Sequence, residues 1–199
     1  RKPNKKGVVE PYRPYYYCNY DQVNKLIEYT TLNGKHFCNE VVFIDQLRKP
    51  YLDIEQMYES RYEMESDRKY ILHQLQTDIP LVMKELHDIV IEQSDIVYLD
   101  CSRTIKEKYK LSLHVIVSSG HCYLTGDDVK HWAQMLESKN DMYNGKIDMQ
   151  VYNNTFCMRI AGAFKDRSET ISFQPIEPIT QMRFELNDKI LMKSLITYL

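Results

Sequence analysis

Strict alternation of apolar and polar residues marks one strand in this chain, KLSLHVIVSS at residues 110–119. Successive side chains of a strand point to opposite faces, so one face of this segment is apolar and the other begins with polar residues. The apolar face carries Leu111, Leu113, Val115 and Val117. The opposite face carries an ammonium, a hydroxyl and an imidazole in succession, at Lys110, Ser112 and His114. A structural strand does not need this combination, so the three residues are candidates for a binding site.

Apolar periodicity and capping signals predict the other elements. Helices are predicted at 21–30 with Asp21 as N-cap, at 66–92 with an interruption near Pro80, at 127–138 behind a capping box of Thr125 and Asp128, and after Asn187. Strands are predicted at 37–44, 50–57, 95–101, 111–118, 146–151, 156–162, 169–173 and 182–186. We expect a turn at 48–50 between the first two strands and a turn at 152–155 that pairs 146–151 with 156–162. Because strands and helices mix without a regular βαβ repeat, the predicted fold class is α+β with a mainly antiparallel sheet.

Length and composition limit the class of protein. The 199 residues are 43% hydrophobic and 27% charged, which suits one core or two small subdomains that share one. No apolar run approaches the roughly 20 residues that span a bilayer, and no apolar segment follows the basic start as in a signal peptide, so we expect no membrane association. The five cysteines lack zinc-ligand spacing, which favours reduced thiols in an intracellular protein. Since the sequence lacks an initiator methionine, we expect a piece of a longer polypeptide.

Basic residues cluster locally although the formal net charge is only -2. Residues 103–110, RTIKEKYK, carry four basic side chains against one acid, and RKPNKK at residues 1–6 carries four against none. Such runs are commonly no more than solvated surface. They also have the composition of a phosphate-contacting surface, which makes Arg103, Lys106 and Lys108 candidates for binding a nucleic-acid template.

Acidic side chains occupy polar positions of two other predicted strands. Asp53 and Glu55 in YLDIE lie on one strand face, and Asp148 takes the polar position of KIDMQV. An exposed polar face would explain each acid alone. Together, three carboxylates could hold two Mg²⁺ or Mn²⁺ ions, which prefer hard oxygen ligands and lie about 3.5–4 Å apart in enzymes that transfer nucleotidyl groups.

Residues suited to phosphate accompany these acids. Lys110, Ser112 and His114 present their groups about 6–7 Å apart along one strand face, a spacing suited to the oxygens of a polyphosphate. Arg159 and Lys165 in FCMRIAGAFK add two cations, and a guanidinium can bind phosphate oxygens in pairs. No GxxxxGK[ST] motif occurs, which excludes a P-loop as the phosphate site.

The order of these motifs, DxE, then KxSxH, then an apolar pair with Asp followed by Arg and Lys, resembles the catalytic core of archaeo-eukaryotic primases. The matching segments are YLDIE, KLSLH and IDMQVYNNTFCMRIAGAFK, over residues 51–165. The likeness is greatest to the primase-polymerase branch, including the primase halves of the primase-helicases of large cytoplasmic DNA viruses. The resemblance implies an RRM-like palm with an N-terminal α/β subdomain. It also implies that residues 1–199 form a single catalytic domain of a longer chain that carries a helicase.

The resemblance further implies roles for individual residues. The catalytic metal ligands would be Asp53, Glu55 and Asp148. The nucleotide-binding residues would be Lys110, Ser112, His114, Arg159 and Lys165. The implied reaction is template-directed nucleotidyl transfer, in which two Mg²⁺ or Mn²⁺ ions help to make or extend primers from NTPs or dNTPs on single-stranded DNA. Other replication proteins would be partners, and the implied location is a viral replication site in the host cytoplasm.

The sequence differs from the family pattern in two respects, and two alternative functions were considered. The zinc-binding region that many relatives use to start a strand is not visible, and the family's SSK appears as GAFK, so only Lys165 is carried over from that element. A rolling-circle replication endonuclease would need two metal-binding histidines around one apolar residue, and no HxH occurs. A non-catalytic RRM-like module for single-stranded nucleic acid could stack bases on some of the 16 tyrosines, but this function leaves the acids and the polar strand face unexplained.

Overall fold

The computed structural model describes residues 19–31, 34–43, 46–152, 155–165 and 170–198. Its helices are α1 (Val23–Thr30), α2 (Arg61–His87), α3 (Gly126–Glu137) and α4 (Asp188–Ser194). Its strands are β1 (Asn39–Val42), β2 (Tyr51–Tyr58), β3 (Ile96–Asp100), β4 (Arg103–Ile105), β5 (Lys108–Val117), β6 (Phe156–Arg159) and β7 (Gln174–Pro175). The predicted α+β class with a mainly antiparallel sheet is confirmed. The basic run at 1–6, residue 44 of the first predicted strand, residues 153–154 of the predicted turn and residue 169 of the predicted strand 169–173 lie outside the described residues. None of the described helices is long and apolar enough to cross a membrane.

The main sheet is built around β5. Its strands follow the order β2-β5-β3-β7, β4 pairs with the start of β5, and all of these pairings are antiparallel. The strand begins at Lys108, three residues before the predicted start, because it forms a hairpin with the short strand β4, which was not predicted. β5 therefore lies between two neighbours along most of its length, and the position of its polar face is fixed from both sides.

The apolar face of β5 forms the core together with α2. Asp100 of β3 pairs with Leu113 in register, and its carboxylate accepts from Arg68 of α2 at 3.0 Å, so α2 covers the side of the sheet to which Leu113 points. The fully buried apolar residues of α2 are Ile71, Leu72, Leu75, Ile79, Val82 and Met83. Burial of each such side chain contributes about 1.5–3 kcal/mol, which makes this layer a major source of stability. The opposite face of the sheet remains for the polar residues.

Helix α2 is continuous, which corrects the predicted interruption at Pro80. Proline lacks the N–H that would normally donate to the carbonyl four residues earlier, at Gln76. Here the Gln93 side chain donates to that Gln76 carbonyl at 2.7 Å and replaces the missing bond. The helix also begins earlier than predicted, because the Ser60 hydroxyl caps it by accepting from the Glu63 N–H at 3.1 Å. It ends at His87 and is followed by the C-cap residue Asp88, whose φ of 57° is left-handed.

Two of the three predicted caps are confirmed. Thr125 and Asp128 form the reciprocal capping box of α3, and Asn187 accepts from Ile190 N–H at 3.0 Å to cap α4. Asp21 is not a cap. It lies inside a 3-10 turn at Tyr20–Gln22, and α1 begins at Val23.

The predicted pairing of 146–151 with 156–162 is wrong. Ile147 forms a single antiparallel bridge with Ile54, and the chain then turns into a 3-10 helix at Met149–Tyr152. The second segment contributes β6, which pairs with β1 in a separate two-stranded sheet. The hairpin predicted from a turn at 48–50 is also wrong, because β1 pairs with β6 and β2 pairs with β5. Which strands pair depends on contacts between distant parts of the chain, and the local sequence pattern does not specify them.

The C-terminal strands also differ from the prediction. The strand β7 begins at Gln174, immediately after the predicted segment 169–173, and pairs with β3. The predicted strand 182–186 is reduced to one bridge between Arg183 and Ile176. Arg183 also donates to the buried Asp100 carboxylate at 3.1 Å, so this segment is held by an ion pair rather than by a strand ladder.

Candidate active site

The pairing of β2 with β5 brings two of the predicted acids and three of the five predicted nucleotide-binding residues, Lys110, Ser112 and His114, to one face of the sheet. Asp53 lies opposite His114, and Glu55 lies opposite Ser112. Side chains directly opposite each other in an antiparallel pair project from the same face. Asp53 Oδ1 is 3.8 Å from His114 Nε2, and Lys110 Nζ is 2.6 Å from Glu55 Oε2. Acids and cations that are distant in sequence are therefore neighbours in the fold.

Asp148 joins this face from the other side of β2. The bridge at Ile147 is flanked by two backbone hydrogen bonds, from Glu55 N–H to the Lys146 carbonyl and from Asp148 N–H to the Asp53 carbonyl, each 2.8 Å long. The Lys146 ammonium lies 2.9 Å from the Asp67 carboxylate of α2 and anchors the segment. Asp148 is thus aligned with Asp53, although the segment that carries it is not a strand.

The electrostatics of Asp53 reflect this convergence. Burial raises the pKa of Asp53 to about 7, and the negative charges of Glu55 and Asp148 raise it further, while Arg159 and Lys110 oppose the rise. Three carboxylates that repel each other in a largely buried place are the donor set that a divalent cation with hard oxygen ligands would neutralise. In the chemistry of their oxygen donors, these residues suit Mg²⁺ or Mn²⁺.

The carboxylates are not already closed around a metal position. In the part of the chain that the structure describes, no three His, Cys, Asp or Glu side chains are grouped so that they could hold an ion. Two of the acids have other partners, because Glu55 is paired with Lys110 and Asp148 Oδ1 accepts from the Gln150 N–H at 2.9 Å. Glu55 would have to leave Lys110 before it could serve as a metal ligand.

His114 and Arg159 meet on one aromatic ring. The His114 imidazole stacks on Phe173, with ring centroids 3.7 Å apart and an interplanar angle of 25°, and the Arg159 guanidinium carbon lies 4.5 Å from the centroid of the same ring. Burial lowers the pKa of His114 to about 3 and the positive charge of Arg159 lowers it further, while a hydrogen bond with the Arg159 backbone opposes the fall. The imidazole is therefore neutral at physiological pH and has one N–H donor.

Among the described residues, four buried side-chain atoms around this face have no hydrogen-bond partner. They are Asp53 Oδ1, Ser112 Oγ, His114 Nδ1 and Arg159 Nη1. A buried polar atom that stays unpaired costs about 1–3 kcal/mol, so native proteins seldom retain several of them in one place. A ligand that carries both acceptor oxygens and cations would satisfy this set, because the serine and arginine offer donors and the aspartate offers an acceptor.

The remaining predicted residues differ in position. Lys165 is exposed, and its assignment to the nucleotide site stays a prediction. Arg103 was predicted to lie on a basic surface, and this is wrong. It is buried and donates to the Cys101 carbonyl at 3.0 Å. Lys106 is exposed in the turn between β4 and β5, and the exposed Lys108 pairs with Glu59 at 2.5 Å. Any template surface at this hairpin therefore depends on the two lysines.

Sequence reasoning missed three residues that shape the site. Phe173 supports His114 and Arg159, and the ion pair of Lys146 with Asp67 holds the segment of the third acid. An aromatic residue in a short apolar segment gives no signal of such a role. The lysine two residues before Asp148 could have been noted, but nothing in the sequence pairs it with an acid of the long helix.

Comparison with known proteins shows sequence similarity to a viral protein. No family model matches the sequence. The chain is 30% identical over 205 aligned residues to a protein of Acanthamoeba polyphaga mimivirus named "Uncharacterized putative helicase R8". The alignment covers 92% of this chain and 20% of that protein, so the chain spans about one fifth of the length of its relative. The similarity is therefore to one part of a protein that is named for helicase activity.

Proposed function

We propose that this chain is a template-directed nucleotidyltransferase domain of the primase-polymerase type, which makes or extends primers on single-stranded DNA. The observation that carries the proposal is the shared face of β2 and β5, where Asp53 lies opposite His114 and Glu55 lies opposite Ser112. The pairing puts candidate metal ligands beside candidate phosphate ligands, which is the arrangement that nucleotidyl transfer needs.

Each group on this face has a distinct task in the proposed reaction. Asp53, Glu55 and Asp148 would hold the divalent cations, which supply Lewis-acid activation and neutralise charge on the triphosphate when bound. Lys110, Ser112, His114 and Arg159 would bind and orient the triphosphate of the incoming NTP or dNTP through hydrogen bonds and charge. Lys165 would add a further cation.

The similarity to part of a viral protein named for helicase activity supports a role in viral DNA replication. A nucleotidyltransferase and a helicase on one polypeptide would act on the same single-stranded template, so helicase and other replication proteins are the proposed partners. The template would contact the exposed lysines Lys106 and Lys108 rather than the buried Arg103. Replacing both lysines should weaken single-stranded DNA binding and reduce its dependence on salt. With fewer phosphate contacts, binding releases fewer counterions.

The test is incorporation of labelled NTPs and dNTPs on single-stranded DNA, with and without a primer, in Mg²⁺ and in Mn²⁺. The wild-type chain should extend or start strands, and Asp53→Ala should abolish the reaction without unfolding the protein. Glu65→Gln is the matched control, because Glu65 is an acid at the surface of α2 whose ion pair with Arg61 is exposed. DNA binding without any incorporation would favour a non-catalytic binding module, and cleavage of the template would favour an endonuclease.

A further inference from the structure

Phe173 lies where the proposed phosphate ligands meet, yet it carries no polar group of its own. It is fully buried, and its ring contacts the His114 imidazole at 3.7 Å between centroids and the Arg159 guanidinium carbon at 4.5 Å. These are an aromatic stack and a cation–π contact, both of which depend on the face of the ring. A single side chain thus supports two residues that come from different strands.

The backbone around Phe173 fixes the ring in place. Its carbonyl accepts from the Gly162 N–H at 2.7 Å, and its N–H donates to the Ala163 carbonyl at 3.3 Å. Gly162 has a φ of 81°, a conformation that favours glycine, and an added Cβ there would lie 3.0 Å from the His36 ring. The segment that follows Arg159 is therefore folded directly against Phe173.

We infer that Phe173 is a positioning residue of the nucleotide site, which holds His114 and Arg159 in the orientation that binds the triphosphate. The inference rests on the proposed function. The support comes from the hydrogen-bonding state of Arg159, because the buried Nη1 atom has no partner while the guanidinium plane contacts the phenyl ring. Contact with an apolar ring orients the guanidinium and leaves its donors available, whereas a carboxylate partner would occupy them.

The first test is nucleotide binding by Phe173→Leu, which keeps apolar volume and removes the aromatic face. Titration with ATP and dATP in Mg²⁺ and, separately, with inorganic tripolyphosphate should give a Kd about 5- to 30-fold weaker than that of the wild-type chain, because two aromatic contacts are lost. KM for the nucleotide should rise by a similar factor, with a smaller change in kcat. Phe173→Tyr, which keeps the ring face, should restore most of the affinity.

The second measurement reports the stack directly. The His114 ring protons should resonate upfield in wild-type NMR spectra because they lie over the phenyl ring, and the shift should disappear in Phe173→Leu. Leu75→Val, a change in the buried layer of α2, is the control for general loss of packing and should alter neither the resonance nor the affinity. Should Phe173→Leu fail to fold, Phe173→Met takes its place.

The outcomes separate the two proposals. If the wild-type chain binds neither nucleotide nor tripolyphosphate, the proposed function fails and the inference fails with it. If the wild-type chain binds nucleotide and Phe173→Leu binds it equally well, the inference alone is overturned. An equal loss of affinity in Leu75→Val would also overturn it, because Phe173 would then act only through stability.

Discussion

Replacing Asp53 with Asn should change how the stability of the metal-free protein depends on pH. The pKa of Asp53 is raised from the ordinary value of 3.8 to about 7, first by burial and then by the charges of Glu55 and Asp148. The folded protein therefore binds more protons than the unfolded chain between about pH 4 and 7, and its free energy of unfolding falls as pH rises through this range. The full difference corresponds to roughly 4 kcal/mol at 1.36 kcal/mol per pH unit, and relaxation around a side chain that is 16% exposed should reduce it to about 2 kcal/mol.

The assay is urea denaturation at intervals from pH 4 to 9 with chelator present. Wild type should lose about 2 kcal/mol between pH 4 and 7 relative to Asp53→Asn, and Glu59→Gln should follow the wild-type curve because Glu59 is exposed. Comparing curves removes the contribution of buried histidines, which both proteins share. Parallel curves for wild type and Asp53→Asn would refute the reasoning, since the carboxylate would then cost nothing to ionise in the fold. At pH 8, Mg²⁺ should stabilise wild type more than Asp53→Asn.

Three further predictions test neighbouring parts of the fold. His114→Ala should lower nucleotide efficiency by roughly 10- to 150-fold through loss of a hydrogen bond to a charged oxygen, with template affinity unchanged. Leu113→Ala, on the buried face, should instead cost about 2–5 kcal/mol of stability in denaturant titrations. Lys110→Met should tighten Mn²⁺ binding measured calorimetrically without nucleotide, because Glu55 loses its competing ammonium, and should weaken nucleotide binding; weaker Mn²⁺ binding would contradict this. Gln93→Ala should lower the free energy of unfolding by about 1 kcal/mol, because the Gln76 carbonyl loses the side-chain donor that replaces the missing N–H of Pro80. An unchanged denaturation midpoint would show that water replaces this donor.

The sequence was informative where a residue's position depends only on its own strand. The period of two correctly put Asp53 and Glu55 on one face of β2, and Lys110, Ser112 and His114 on one face of β5. The alternation cannot reveal that the two faces are the same face. That relation depends on which strands pair and in which register, and both are fixed by long-range packing.

Two of the wrong predictions are explained by individual hydrogen bonds. The interruption predicted at Pro80 rested on the missing N–H donor and on the clash of the ring with the preceding turn. The structure supplies another donor to the Gln76 carbonyl, from the Gln93 side chain beyond the end of the helix. Arg103 was expected at the surface from its charge, but its guanidinium is buried against the Cys101 carbonyl. In both cases a hydrogen-bond partner that the pattern of apolar and polar residues does not reveal decides the outcome.

The segment after Asp148 shows how an irregular structure can serve the site better than the predicted strand. If the antiparallel bridge at Ile147 continued, the register would put Gln150 opposite Tyr51, on the face that carries the acids. The 3-10 turn instead directs the chain away from the sheet, and two tyrosine hydroxyls replace the ladder, from Tyr51 to the Val151 carbonyl at 3.0 Å and from Tyr152 to the Tyr51 carbonyl at 2.9 Å. This seals the sheet at Tyr51, which is fully buried, and leaves the neighbouring Asp53 carboxylate partly exposed. The boundary between the core and the proposed metal site thus falls between two residues that are adjacent on the same strand face.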